Sequence, residues 1–274
     1  MKKIPGPFCE EEMNVNQLAA IQFVRERGNP FEQARLTFLL TGARPSSESL
    51  QQFFQDQQED GSWSPFWAPG YSGLDSTCFH LAQGEQMGLL ANEPDLRQAA
   101  LFLAQRQRPD GAFEEDEAVT DLAPPWARPG NLAARLYLTA NCSFWLTSFS
   151  QTQASAQLAA RYVHSFLRSD GHLPTFLHTH WLAAGLFSRL KQIESTERLL
   201  AYLATRLPDL SASSLAWLIV TLRLASLPAT TPLLVQAASL LQQQQQPAGN
   251  WQSEDGLEQD VHATLEALRA FMLL

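Results

Sequence analysis

The chain has 274 residues, 45% of them hydrophobic, enough for one large core or two small ones. Its 28 acidic against 19 basic side chains leave a net charge of -9, which argues against nucleic acid and against an electrostatic grip on anionic membranes. Cys9, Cys78 and Cys142 are widely spaced and form no CxxC, so neither a disulfide framework nor a Cys-rich zinc site is expected. No stretch approaches 18 apolar residues, and the positive start lacks the apolar segment of a signal peptide, which points to a reducing cytoplasm.

Residues 1–14 read as a loose N-terminal arm, and residues 15–274 as one helical domain. Helical patterns occupy about 15–27 and 31–42, split by Gly28-Asn29-Pro30. A helix at about 46–58 is followed by a loop with Trp63, Pro65, Phe66, Trp67, Pro69, Gly70 and Tyr71, then an apolar helix at about 73–90. The next pair covers about 94–107 and 131–149, joined by a long, acidic, Pro-rich segment. Three further pairs fall at about 152–168 and 178–191, 193–206 and 211–226, and 230–246 and 258–273. The apolar runs are too long and too rich in Leu and Ala for strands.

One phrase recurs, Gln-x-x-x-Gly-x-aromatic. It reads Gln57…Gly61…Trp63, Gln107…Gly111…Phe113 and Gln245…Gly249…Trp251, with a worn copy at Ser169-Asp170-Gly171. Each copy ends a polar helix and precedes a more apolar one. Gly closes a helix in the left-handed region, the aromatic covers its end, and the Gln amide lies on the ring or bonds loose backbone groups. Repeated hairpins of this kind mean a stacked helical architecture. The second helix of each pair is apolar nearly all round; the stretch at 132–149 carries one charge, Arg135. Helices apolar on every face are buried on every face, so six of them form an inner ring inside six solvated ones. The expected fold is all-α, an (α/α)6 barrel, with a central pocket walled by rings.

The three staples in a six-hairpin helical chain resemble the QW motifs of the class II terpene cyclases, the squalene–hopene cyclase family. The likeness covers nearly the whole chain as one β-type barrel, as in monodomain members that act on prenylated dihydroxybenzoic acids. It implies an isomerase that protonates an alkene, with no metal or organic cofactor. The family's acid motif, DxDD, falls here on Gly73-Leu74-Asp75-Ser76, so Asp75 matches the proton donor while Gly73 and Ser76 replace its acidic neighbours. Arg135 takes the place of a His that orients the acid in the family.

Two carboxylates therefore compete. An Arg135 contact would hold Asp75 ionised, and Asp110, set rigidly at the second staple turn, then becomes the first choice and Asp116 the second. If Asp75 is buried among aromatics and clear of Arg135, it is the donor. The reading leans to Asp110, whose structural role would otherwise be that of a turn Asp. Phe31, Phe66, Trp67, Phe113, Tyr137 and Trp145 are expected to wall the pocket and to stabilise cations. Arg135 suits a substrate carboxylate. His178 and His180 read as capping or solvent residues, and the acidic run 114–117 as a solvated loop. His262 joins Cys78 and Asp75 as a zinc set only by coincidence of folding.

Ionising a diphosphate needs an Asp-rich motif for Mg²⁺, and none is present. Protonating an alkene needs one strong acid, a dry cavity and aromatic walls, which the chain offers. The expected partner is a small prenylated aromatic acid, such as a geranylgeranylated dihydroxybenzoate, taken up with peripheral membrane contact. The alternative is a non-catalytic isoprenoid-binding toroid or a subunit like the β chain of protein prenyltransferases.

Overall fold

The computed structural model describes residues 15–90 and 93–274, and the arm expected at 1–14 lies outside them. Among the described residues twelve α-helices follow in order: α1 (Val15–Arg27), α2 (Pro30–Thr41), α3 (Ser47–Phe54), α4 (Leu74–Gln86), α5 (Pro94–Gln105) and α6 (Leu132–Leu146). Then come α7 (Gln153–His164), α8 (Leu177–Arg189), α9 (Ile193–Ala204), α10 (Ala212–Leu224), α11 (Pro232–Gln243) and α12 (Asp260–Leu273). Among the described residues no strand forms; Trp63 makes two isolated bridges, to Gln57 and Gly73.

The even-numbered helices pack each against the next, from α2 to α4 and onward, and α12 returns to α2. The odd-numbered helices lie outside, as α5 does on α4 and α6, α7 on α6 and α8, and α1 on α12 and α2. This is the (α/α)6 barrel. The two rings differ because their sequences do. Every residue of α6 from Leu136 to Leu146 is buried, whereas α9 buries only Ser195, Thr196, Leu199 and Leu203, a single stripe. The break between α1 and α2 is set locally: Asn29 and Glu32 form a reciprocal capping box with Pro30 at the first helical position.

In the repeated phrase the Gln amides bond backbone carbonyls, while Trp63 also stacks on His80 of α4 at 4.4 Å. The Gln57 amide donates to the Gly61 carbonyl at 2.9 Å and to the Asp95 carbonyl of α5 at 3.0 Å. The Gln107 amide does the same to Gly111 at 3.0 Å and to Ser155 of α7 at 2.9 Å. Gln245 donates to Gly249 at 2.8 Å. Trp63, Phe113 and Trp251 are buried, and their backbone N–H groups donate to Thr77, Thr139 and Thr264 on the following inner helices. At the worn copy the Leu173 N–H donates to His180 Nε2 instead, so His180 stands where the other repeats use Thr. His180 is thus a buried structural residue, not a capping or solvent one.

Glycine is required at these turns for space as well as for φ. Gly111 sits at φ 95°, and a Cβ there would lie 2.7 Å from the Leu158 carbonyl of α7. Gly249, at φ 90°, would meet the Ala19 backbone of α1 at 2.5 Å, and this contact closes the outer ring.

Candidate active site

Helix α4 turns Asp75, Cys78, Phe79, Ala82, Gln83 and Gln86 into a cavity of about 340 Å³. These positions repeat at i, i+3, i+4, i+7, i+8 and i+11, one stripe of a helix. At 1.5 Å per residue the stripe runs roughly 16 Å from Asp75 to Gln86. Helix α6 adds Tyr137, Asn141 and Trp145 from successive turns, α8 adds His178, α10 adds Trp217, and α12 adds His262 and Glu266. The exposed Glu254, Asp255 and Gln259, on the segment before α12, mark the open end.

Asp75 lies in the first turn of α4, partly exposed because it faces the cavity. Its Oδ1 accepts from the Tyr137 hydroxyl at 2.7 Å and from the Asn141 amide at 3.3 Å, and its Oδ2 from the Trp126 indole at 3.1 Å. These donors favour the carboxylate, but burial outweighs them and raises the carboxyl above its ordinary range. Tyr137, buried beside the same carboxyl, is pushed well up and stays a hydrogen-bond donor.

A second carboxyl lies behind the first. Glu115 is 3% exposed and accepts the Leu74 N–H at 2.9 Å, the Asp75 N–H at 3.3 Å and the Tyr71 hydroxyl at 3.0 Å. It thereby caps α4, whose preceding residue Gly73 has no side chain to do so. Burial, and to a smaller degree Asp75, raise it to about 7. The acidic neighbour that Gly73 and Ser76 fail to supply comes from the loop ahead of α6. That loop is not simply solvated: Glu114 is also buried, and accepts from Arg108, Arg135 and the Gly130 N–H.

Of the residues expected from the sequence to form the cyclase site, Asp75, Tyr137 and Trp145 line the cavity. The others do not, each for a local reason. Arg135 pairs with Glu114 at 2.8 Å and has no contact with Asp75. Two residues before Tyr137 on α6, it points roughly 200° away from it, to the outside of the ring. Asp110 accepts the Ala112 N–H at 3.0 Å in an exposed turn. Asp60 and Asp170 repeat that bond to Ser62 and His172, so Asp110 is a turn residue. Asp116 likewise caps a short turn through the Ala118 N–H. Phe113 is fully buried at the staple. Phe31 stacks on Phe53 of α3 at 5.8 Å. Trp67 packs on Tyr71 in a small cluster with Ala68, Val119 and Ala127, and Phe66 is 84% exposed.

The cavity also holds residues that the sequence did not place in the site. His178 is neither a cap nor in solvent: it meets Tyr137 edge-on at 4.7 Å and stacks on Trp217 at 5.4 Å. Burial lowers it to about 4, so it is neutral. Asn141 had a visible signal, a lone amide four residues after Tyr137 and four before Trp145 in an apolar helix. Trp126 had none, because only the fold brings its loop over α4. Cys78 and Cys142 are buried 3.6 Å apart, and among the described residues no group of three or more His, Cys, Asp or Glu is placed to hold a metal ion.

No protein-family profile and no curated protein matches the chain. Solved structures do. A protein from Actinoplanes shares 16% identity with a TM-score of 0.64, over 94% of this chain and 98% of that one. The type II terpene cyclase MstE from Scytonema, in a complex with geranylgeranyl dihydroxybenzoate as substrate, shares 16% identity with a TM-score of 0.61, over 94% and 96% of the two chains. A form of MstE holding merosterolic acid A as product gives 16% identity and a TM-score of 0.61, over 94% and 95%. At that identity the likeness is one of fold, and in fold this chain is a helical toroid like those of the type II terpene cyclases.

Proposed function

We propose that this chain is a protonation-initiated terpene cyclase, an isomerase that closes several rings on a linear prenylated aromatic. One observation carries the reading: a carboxyl raised by burial, Asp75, opens onto a cavity walled by Tyr137, Trp145 and Trp217. Oδ1 accepts two hydrogen bonds and Oδ2 only that of the Trp126 indole, so Oδ2 is the oxygen with room for the acid proton. Transfer of that proton to the terminal alkene makes one C–H bond and leaves a tertiary cation. Each internal alkene then attacks the cation before it, and loss of a proton ends the cascade, so substrate and product have equal mass. The indole faces stabilise the moving charge, and the cavity holds the chain folded.

The geranylgeranyl dihydroxybenzoate carried by MstE is the guide to substrate size and class, a prenylated aromatic. The carboxylate clamp expected of Arg135 is absent from the cavity. Exposed Phe66, Leu122 and Leu257 lie on the loops that lead into α4, α6 and α12, at the end where the cavity opens, and favour peripheral contact with a membrane during substrate uptake.

The test is incubation of the purified protein with geranylgeranyl dihydroxybenzoate and geranylgeranyl hydroquinone, with and without a metal chelator. Isomers of unchanged mass from the wild type, absent with Asp75→Asn, are expected. Unchanged substrate in every wild-type reaction would leave a binding toroid and overturn the reading.

A further inference from the structure

A cyclisation of this kind puts one proton on the substrate and takes one off. Asp75 supplies the first, and the base that accepts the second has to open on the same cavity. His178 is the second residue of α8, as Asp75 is of α4, so both stand at the same end of the inner ring. Tyr137 lies between them: its hydroxyl meets Asp75 Oδ1 at 2.7 Å and its ring meets the imidazole at 4.7 Å. Phe176 and Trp217 each stack on the imidazole at 5.4 Å and hold it by its faces. The nitrogens sit on the ring edge; among the described residues neither has a hydrogen-bond partner, and neither is wholly buried. No partner fixes the tautomer, so either nitrogen can present its lone pair to the cavity that His178 lines. Burial holds the imidazolium at about 4, so at neutral pH that lone pair is free.

The other polar groups of the lining are poorer bases. Arg35 Nη1 lies 3.1 Å from His262 Nδ1, and arginine only donates, so that lone pair is taken and the ring proton sits on Nε2. Glu266 is engaged by the Arg35 cation at 2.9 Å and by the Gln86 amide. Asn141 is an amide, and Glu254 and Asp255 are exposed at the open end, in water.

The place of His178 sets how far the cascade can run. Each ring closure moves the cation one four-carbon repeat away from the acid, roughly 5 Å along the chain. The imidazole, one phenol ring away from Asp75, is reached after about two such steps.

We infer that His178 is the base that ends the cascade, and that it does so after the second ring, leaving the rest of the prenyl chain linear in the deep part of the cavity. The inference rests on the cyclase reading and narrows its several rings to two. The imidazole lone pair takes a proton from a carbon next to the cation. That C–H bond breaks, its electrons form the final C=C bond, and the positive charge passes to the imidazole. The imidazolium then sheds its proton to water, and Asp75 regains one from water. Trp217, stacked on the imidazole, lies beside the last cation.

The products test this. Geranylgeranyl hydroquinone and geranylgeranyl dihydroxybenzoate are given to the wild type, Asp75→Asn and His178→Phe, with product NMR and mass spectrometry as the readouts. The wild type is expected to give a two-ring isomer with its new alkene in or on the second ring. His178→Phe keeps a ring against Phe176 and Trp217 and removes the nitrogens. It is expected to go on consuming substrate, while the two-ring alkene falls at least tenfold as a share of product. Alcohols heavier by one water, or isomers with more rings, take its place. The ring count of the wild-type product stands even if the variant fails to fold. A wild-type ring count other than two, an unchanged product ratio in folded His178→Phe, or a folded His178→Phe as inert as Asp75→Asn would each overturn the base and leave the cyclase reading in place. Unchanged substrate with the wild type would remove that reading and the base with it.

Discussion

The Tyr137 hydroxyl donates to Asp75 Oδ1 at 2.7 Å, from one inner helix to the next. This bond ties the candidate acid to the aromatic wall and leaves Oδ2, which accepts only from Trp126, as the less engaged oxygen. Removing it in Tyr137→Phe takes away a donor that favours the carboxylate, so the Asp75 carboxyl should rise further. The acid form would then persist to higher pH but give up its proton less readily. The expected result is a roughly tenfold to hundredfold lower turnover. The alkaline limb of the kcat/KM profile should move upward. A limb that stays in place or moves down would mean that Tyr137 does not act through Asp75.

Asp75 and Asp110 can be separated directly. Asp75→Asn keeps the size of the side chain and removes the acid, so ring closure should fall by roughly a thousandfold or more while the fold persists. Asp110→Asn keeps an oxygen for the Ala112 N–H and should retain near-normal turnover, with product mass spectrometry and circular dichroism as the readouts. Loss of activity in Asp110→Asn alone would reverse the assignment.

Glu115 gives a pH signature in stability. Its carboxyl is raised from 4.5 to about 7, so the fold prefers the neutral form. The contribution is fully present below the unfolded value and disappears as pH rises through about 7. Glu115→Gln cannot ionise. The stability of wild type relative to this variant should therefore fall between pH 4.5 and 7, by no more than about 3 kcal/mol, the equivalent of the whole shift. Urea unfolding at pH 5 and pH 8 measures it, and a difference that grows with pH would contradict the buried neutral acid.

The staple glutamines should matter for stability alone. Gln107→Ala leaves the carbonyls of Gly111 and Ser155 without their donor and removes the acceptor of the Ser155 hydroxyl. A loss of about 2 kcal/mol is expected, read as a lower unfolding midpoint with turnover per folded molecule unchanged. No change in the midpoint would mean that water replaces the amide at no cost.

The helical pairs, the inner and outer alternation and the staple turns were all legible in the chain, because each follows from periodicity or from one glycine within a few residues. The same local logic put Asp75 at the start of an inner helix. It failed where a side chain's partner lies far along the chain. Arg135 was read against Asp75, but its position on α6 turns it to Glu114, outside the ring. Asp110 looked held for catalysis and is held for a turn.

What the sequence determined by itself is therefore the barrel and which helices line it, since hydrophobic period and turn chemistry act over short spans. Only the tertiary structure decided the site. Trp126 reaches Asp75 across 51 positions, Gln86 reaches Glu266 across 180 and Arg35 reaches His262 across 227. Whether a carboxyl is neutral, or an imidazole lacks a partner, depends on burial and on neighbours that only ring closure brings together.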